Sequence, residues 1–170
     1  MRHPRPGVLN RLVICGVAAS GKTTLGAALA VALDWPFVEG DDLHPPANVA
    51  KMAAGVPLDD ADRAPWLAAI AVRLAVGGPL IVTCSALKRA YRDRLRAAAP
   101  GLRFVYLGAD AALVSARCAA RRGHFMPPAL IASQFATLQI PGSDEDIVTV
   151  AAVLPVAAQV AAVRAALSAR

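Results

Sequence analysis

Aromatic residues make up only 5% of this chain, no basic tract runs beyond two or three residues, and no RNA-binding signature is present. A net charge of +6 therefore does not point to nucleic acid. It fits better with holding small polyanions. Cysteine is scarce as well: Cys15, Cys84 and Cys118 are an odd count, far apart, with no C-x-x-C spacing for a metal. Cys15 lies in an apolar run and Cys84 just after one, as small buried thiols do. The hydrophobic fraction is 56%, yet no run reaches the roughly 18 apolar residues of a spanning helix. The most apolar stretch, 151–169, is interrupted by Pro155, Gln159 and Arg164. No apolar segment follows the charged start MRHPRPGVLN in the manner of a signal peptide. These absences predict a cytoplasmic protein with neither a membrane nor a nucleic acid as partner.

What is present is an alternation of short β-like apolar runs with longer Ala/Leu/Arg segments of helical period. That pattern predicts an α/β fold, a parallel sheet covered by helices on both faces. The predicted strands are 11–16, 36–39, 79–84, 102–107 and 146–151. Leu25, Leu29 and Leu33, then Trp66, Ile70 and Leu74, then Leu87, Tyr91 and Leu95 recur four apart, each set marking one helical face of the core. Residues 1–170 read as one domain. Two stretches break the alternation: about 42–65, rich in Pro, Gly and Asp, and about 121–128, basic with Gly and Pro. Insertions at strand ends are where substrate sites and closing lids sit in open α/β sheets.

Residues 16–23, GVAASGKT, match G-x-x-x-x-G-K-[ST] between a predicted strand and a predicted helix. Gly16 and Gly21 allow the backbone N–H groups of Ala18, Ala19, Ser20 and Thr24 to turn toward phosphates at a helix N-terminus. Lys22, one of only three lysines, would neutralise the β/γ oxygens, and the Thr23 hydroxyl would ligate Mg²⁺. A plain Gly-rich turn leaves that lysine unexplained. Ala19 stands where glycine is frequent, so a negative φ is expected there. The donor is then a nucleoside triphosphate, ATP. Asp41, at the end of the second strand, can accept the proton of an attacking hydroxyl; a helix-capping or turn aspartate is the plainer alternative.

Several strings together resemble the thermoresistant-type gluconokinases: GDDLHP at 40–45, NVAKMAAGVPLDDADRAPWL at 48–67, CSALKRAYRDRLR at 84–96, RRGHF at 121–125 and SQFATLQIPG at 133–142. The resemblance runs from the first strand to about Val150. It implies a three-layer P-loop kinase fold of the shikimate-kinase-like group, with a five-stranded parallel sheet, a substrate-binding insertion and a lid. It further implies transfer of the ATP γ-phosphate to the 6-hydroxyl of D-gluconate, Mg²⁺ as cofactor, and a homodimer. A sugar acid needs cations with mixed donors and acceptors. His44, Asn48, Lys51, Arg63, Ser85, Lys88 and Arg92 offer these, and His124 joins them from the lid. Ordinary solvated surface is the alternative for the lysines and arginines. Lys88 and Arg92 are expected to share a helical face. Trp66 is expected in the core. Glu39 is a candidate partner of Mg²⁺ through water. Arg117 and Arg121, four apart, would meet the donor phosphates as the lid closes, or simply cap a helix C-terminus. Gln134 and Gln139 belong to the resembling stretch without an assignable role. The rival readings are a shikimate-type or nucleoside monophosphate kinase, and a nucleotide-switched regulator or nucleic-acid-binding protein.

Overall fold

The computed structural model describes residues 10–121 and 126–169. Five parallel strands form one sheet in the order β2-β3-β1-β4-β5: β1 Arg11–Cys15, β2 Phe37–Val38, β3 Leu80–Thr83, β4 Arg103–Gly108 and β5 Val148–Ala151. The helices are α1 Lys22–Leu33, α2 Pro46–Ala53, α3 Asp60–Ala75, α4 Arg89–Ala98, α5 Ala111–Ala120, α6 Pro128–Thr137 and α7 Val156–Ser168. Among the described residues no helix is long and apolar enough to cross a membrane.

Strand alternation divides the core in two. Val13 and Cys15 face Trp66, Ile70 and Leu74 of α3 and Tyr91 and Leu95 of α4. Leu12 and Ile14 face Leu25 and Leu29 of α1 and Val163 of α7. Both faces of the sheet are covered, which is why its strands are continuous apolar runs. A third, smaller cluster joins Val17, Leu87, Val114 and Ile131, binding the loop after β1 to α5 and α6.

Two expectations need correction. Leu87 does not share a helical face with Tyr91 and Leu95, because α4 begins only at Arg89 and Leu87 packs in the third cluster. The insertion after β2 is also more regular than its Pro/Gly content suggests. Pro46 stands at the first position of α2, where a missing N–H costs nothing. Asp59 caps α3 by accepting from Asp62 N–H at 2.8 Å, while Asp62 accepts from Asp59 N–H at 3.0 Å. That reciprocal cap starts a helix that tolerates Pro65 within it.

Candidate active site

The loop from β1 to α1 is shaped by backbone conformation. Gly16 has φ +142° and Gly21 φ +103°, and a Cβ on Gly16 would stand 2.7 Å from the Leu107 carbonyl oxygen. Ala19 adopts φ 59°, against the expected negative value. A left-handed alanine costs about 1 kcal/mol, and its surroundings hold it there. Ser20 N–H donates to Val17 O at 3.3 Å, and Val17 is buried in the third cluster. Arg117 Nη1 donates to Ser20 O at 2.5 Å and Ala19 O at 3.5 Å, and its Nη2 to Ala152 O at 2.7 Å. Arg117 thus ties the loop to the segment after β5. Lys22 Nζ donates to Val17 O at 2.8 Å. Burial pushes its pKa down, opposed by the charge of Asp41 and, more weakly, of Glu39.

The end of β2 lies against the end of β3. Glu39 accepts from Thr23 Oγ1 at 2.5 Å through one carboxylate oxygen and from Thr83 Oγ1 through the other. Thr83 Oγ1 in turn accepts from Gly40 N–H at 3.0 Å. The backbones are so close here that a Cβ on Gly40 would stand 1.8 Å from Thr83 O. Trp66 Nε1 donates to Gly40 O at 2.8 Å. These bonds fix the start of the turn Gly40–Leu43 and hence Asp41, whose side chain is 72% exposed. His44 stacks on Trp66 with ring centroids 4.2 Å apart. Its Nδ1 lies 3.2 Å from Asn48 Nδ2, an amide donor, which leaves the proton on Nε2, 4.0 Å from Asp41 Oδ1. Burial lowers the His44 pKa, Asp41 partly opposing and Arg63 reinforcing, so the ring is neutral near pH 7.

A cavity of about 320 Å³ opens between the loop, the insertion and α6. It brings together Ala18, Lys22, Asp41, His44, Arg63, Ser85 and Arg121, all singled out by the sequence. It does not bring together all of the proposed cations. Lys51 pairs with Asp62 at 2.7 Å and Lys88 with Asp60 at 2.8 Å, outside the cavity wall. Asn48 is buried, donating to Asp62 O at 2.8 Å. Arg92 is a correction: it is 1% exposed, and Lys88, which only caps α4, pairs with a different carboxylate. Arg92 meets both oxygens of Glu145 at 2.7 Å and also donates to Ala86 O and Leu87 O. It therefore clamps the turn that carries Ser85. His124 lies outside the described residues.

Sequence reasoning missed Thr83 and Glu145 and gave the two glutamines no role. Gln134 Oε1 accepts from Ala18 N–H at 3.0 Å, and Gln139 Oε1 from Arg89 N–H at 2.8 Å. Nothing local marks these pairs, since each partner is 50 or more residues away.

A family model described as "AAA domain" matches residues 12–141. A gluconokinase of Gluconobacter oxydans is 48% identical over 82% of this chain and 80% of its own length. The thermoresistant gluconokinase of Escherichia coli is 46% identical over 78% of each. The crystal structure of a gluconokinase from Sinorhizobium meliloti superposes with a TM-score of 0.89 at 47% identity, covering 95% of this chain and 93% of that one. The chain belongs to the gluconokinase family. Its sheet order and its loop at 16–23 are accordingly those of a P-loop kinase. The Ala18–Ala19 pair of that loop is accommodated by the Arg117 brace and the packing of Val17.

Proposed function

We propose that the protein transfers the γ-phosphoryl group of ATP to the 6-hydroxyl of D-gluconate, giving 6-phospho-D-gluconate and ADP. The observation that carries this is one cavity holding both Lys22, at the phosphate loop, and Asp41, with His44 and Arg63, at the insertion. The backbone N–H groups at the start of α1 and the Lys22 side chain hold the donor phosphates, while those of Gly16, Ala18 and Ser20, contrary to the expectation for Ala18 and Ser20, donate to Ser85 O, Gln134 Oε1 and Val17 O. Asp41 accepts the hydroxyl proton as the oxygen attacks; neutral His44, its Nε2 4.0 Å from Asp41 Oδ1 and so not bonded to it, offers an N–H to the acceptor's hydroxyls. Arg63 offers a charged fork to the sugar-acid carboxylate, and Ser85 a hydroxyl to its polyol chain. Arg121, exposed on the cavity wall at the end of α5, reaches the transferred phosphate. Arg117 acts on the donor through the loop it braces.

The all-oxygen set of Thr23 and Glu39 suits Mg²⁺, a hard cation that keeps waters and shares phosphate ligands. Among the described residues no group of three or more His, Cys, Asp or Glu could hold a metal ion. When bound there, Mg²⁺ neutralises charge on the β/γ oxygens. Thr23 would hold it directly and Glu39 through water. A homodimer is part of the same reading, checked by sedimentation.

Steady-state ADP release with ATP and a panel of gluconate, shikimate and nucleoside monophosphates tests the assignment. Gluconate is expected to give the highest kcat/KM. Robust turnover of another acceptor with none of gluconate refutes it, and polynucleotide affinity without acceptor-dependent turnover would favour the regulator instead.

A further inference from the structure

The two glutamines of the stretch 133–142 have no part in the mechanism above, yet both contact the machinery. α6 carries Gln134, whose Oε1 accepts from the N–H of Ala18, 116 residues away. Just beyond the helix, Gln139 N–H donates to Leu87 O at 2.8 Å and its side chain accepts from Arg89 N–H at 2.8 Å. Ile131 of the same helix packs with Val17 and Leu87. α6 thus touches the donor loop through Gln134, and the segment just beyond it touches the Leu87–Arg89 turn through Gln139.

The bond to Ala18 decides which way the Gln134 carboxamide points. An N–H needs an acceptor, so Oε1 faces the loop and the Nε2 amine, carrying two N–H donors, faces the other way. Gln134 lines the same cavity as Lys22, Asp41 and Arg121. Ala18 is at the acceptor end of the loop: it lines that cavity, and Lys22 Nζ reaches its neighbour Val17 O. The donors of Nε2 therefore face away from the loop, on the wall shared with Lys22, Asp41 and Arg121.

We propose that Gln134 is a further residue of the phosphoryl-transfer site, its Nε2 donating to the γ-phosphate while Ala18 N–H holds the carboxamide in that orientation. The inference rests on the reading of the cavity as the phosphoryl-transfer site. It separates γ-phosphate recognition from general support of the loop, because only the former depends on what the far end of the side chain carries.

Gln134→Glu is the discriminating change. It keeps an oxygen for Ala18 N–H and replaces the donor with a negatively charged acceptor. Calorimetric titration of ATP and ADP needs no acceptor, so it reports on Gln134 even if gluconate proves not to be the substrate. ATP affinity should fall at least about tenfold, ADP affinity less than about twofold, with Tm unchanged. If gluconate is turned over, kcat should drop with little change in KM for gluconate. Acidification should restore part of the activity, as a protonated carboxyl regains a donor. Gln134→Met removes both ends while keeping bulk, and serves if the Glu variant does not fold; it too should weaken ATP more than ADP. Equal weakening of ATP and ADP, or ATP affinity within twofold of wild type in either variant, overturns the proposal.

Discussion

The two halves of the cavity are built by different means. The donor half is positioned by backbone: glycines at positive φ, a left-handed Ala19, and carbonyls gathered by Arg117 and Lys22. The acceptor half is positioned by side chains, through Lys51–Asp62, Lys88–Asp60 and Arg92–Glu145. A phosphate cradle asks for N–H groups at fixed places, which any sequence with the right glycines can supply. An acceptor pocket asks for particular side chains at particular angles, and long cations need carboxylates to hold them. That difference explains why three of the cations nominated for the ligand are engaged with the chain itself.

The largest effect is expected at Asp41. Asp41→Asn keeps shape and removes the base; kcat should fall by roughly 10²–10⁴-fold, with ATP affinity within about twofold of wild type. Unchanged turnover would leave Asp41 as a turn residue only.

Arg92→Met should act on stability instead. It leaves Glu145 buried without its guanidinium, costing about 3–5 kcal/mol in chemical denaturation. Gluconate KM should rise as well, because the turn carrying Ser85 loses the bonds at Ala86 and Leu87. Wild-type stability with an altered KM would return Arg92 to the ligand.

Acid sharpens the same contrast. The Arg92 guanidinium, hydrogen-bonded to Glu145, holds that carboxyl near pKa 2, against an ordinary value of 4.5. Its folded value lies below its unfolded one, so its contribution is complete above about pH 4.5 and is lost as pH falls toward 2. Stability measured across that window should fall more steeply in the wild type than in Glu145→Gln.

The smallest effect is expected at Lys51. Its pairing with Asp62 raises the lysine pKa and lies at the surface. Lys51→Met should leave gluconate KM and ATP affinity close to wild type; a large rise in KM would place Lys51 on the substrate after all.

The sheet and the donor loop were legible because their signals are local. All five strands fall within or beside apolar runs of a few residues, and the loop motif is eight residues long. The acceptor side was legible as a set of residue types, not as an arrangement. Arg92 looks like its arginine neighbours in sequence, and only Glu145, 53 residues on, distinguishes it. Helix α2 was hidden by a Pro-Pro start that reads as a break. The φ of Ala19 was misjudged because intrinsic preference argued for a negative value, whereas Arg117, 98 residues away, helps impose the positive one.

Transfer to the gluconate 6-hydroxyl is read directly by phosphorus-31 NMR of the wild-type protein incubated with ATP, Mg²⁺ and D-gluconate. A single phosphomonoester coupled to the C6 protons of gluconate, appearing with equimolar ADP, is the predicted result. Inorganic phosphate alone, or phosphate on any other oxygen, would contradict it.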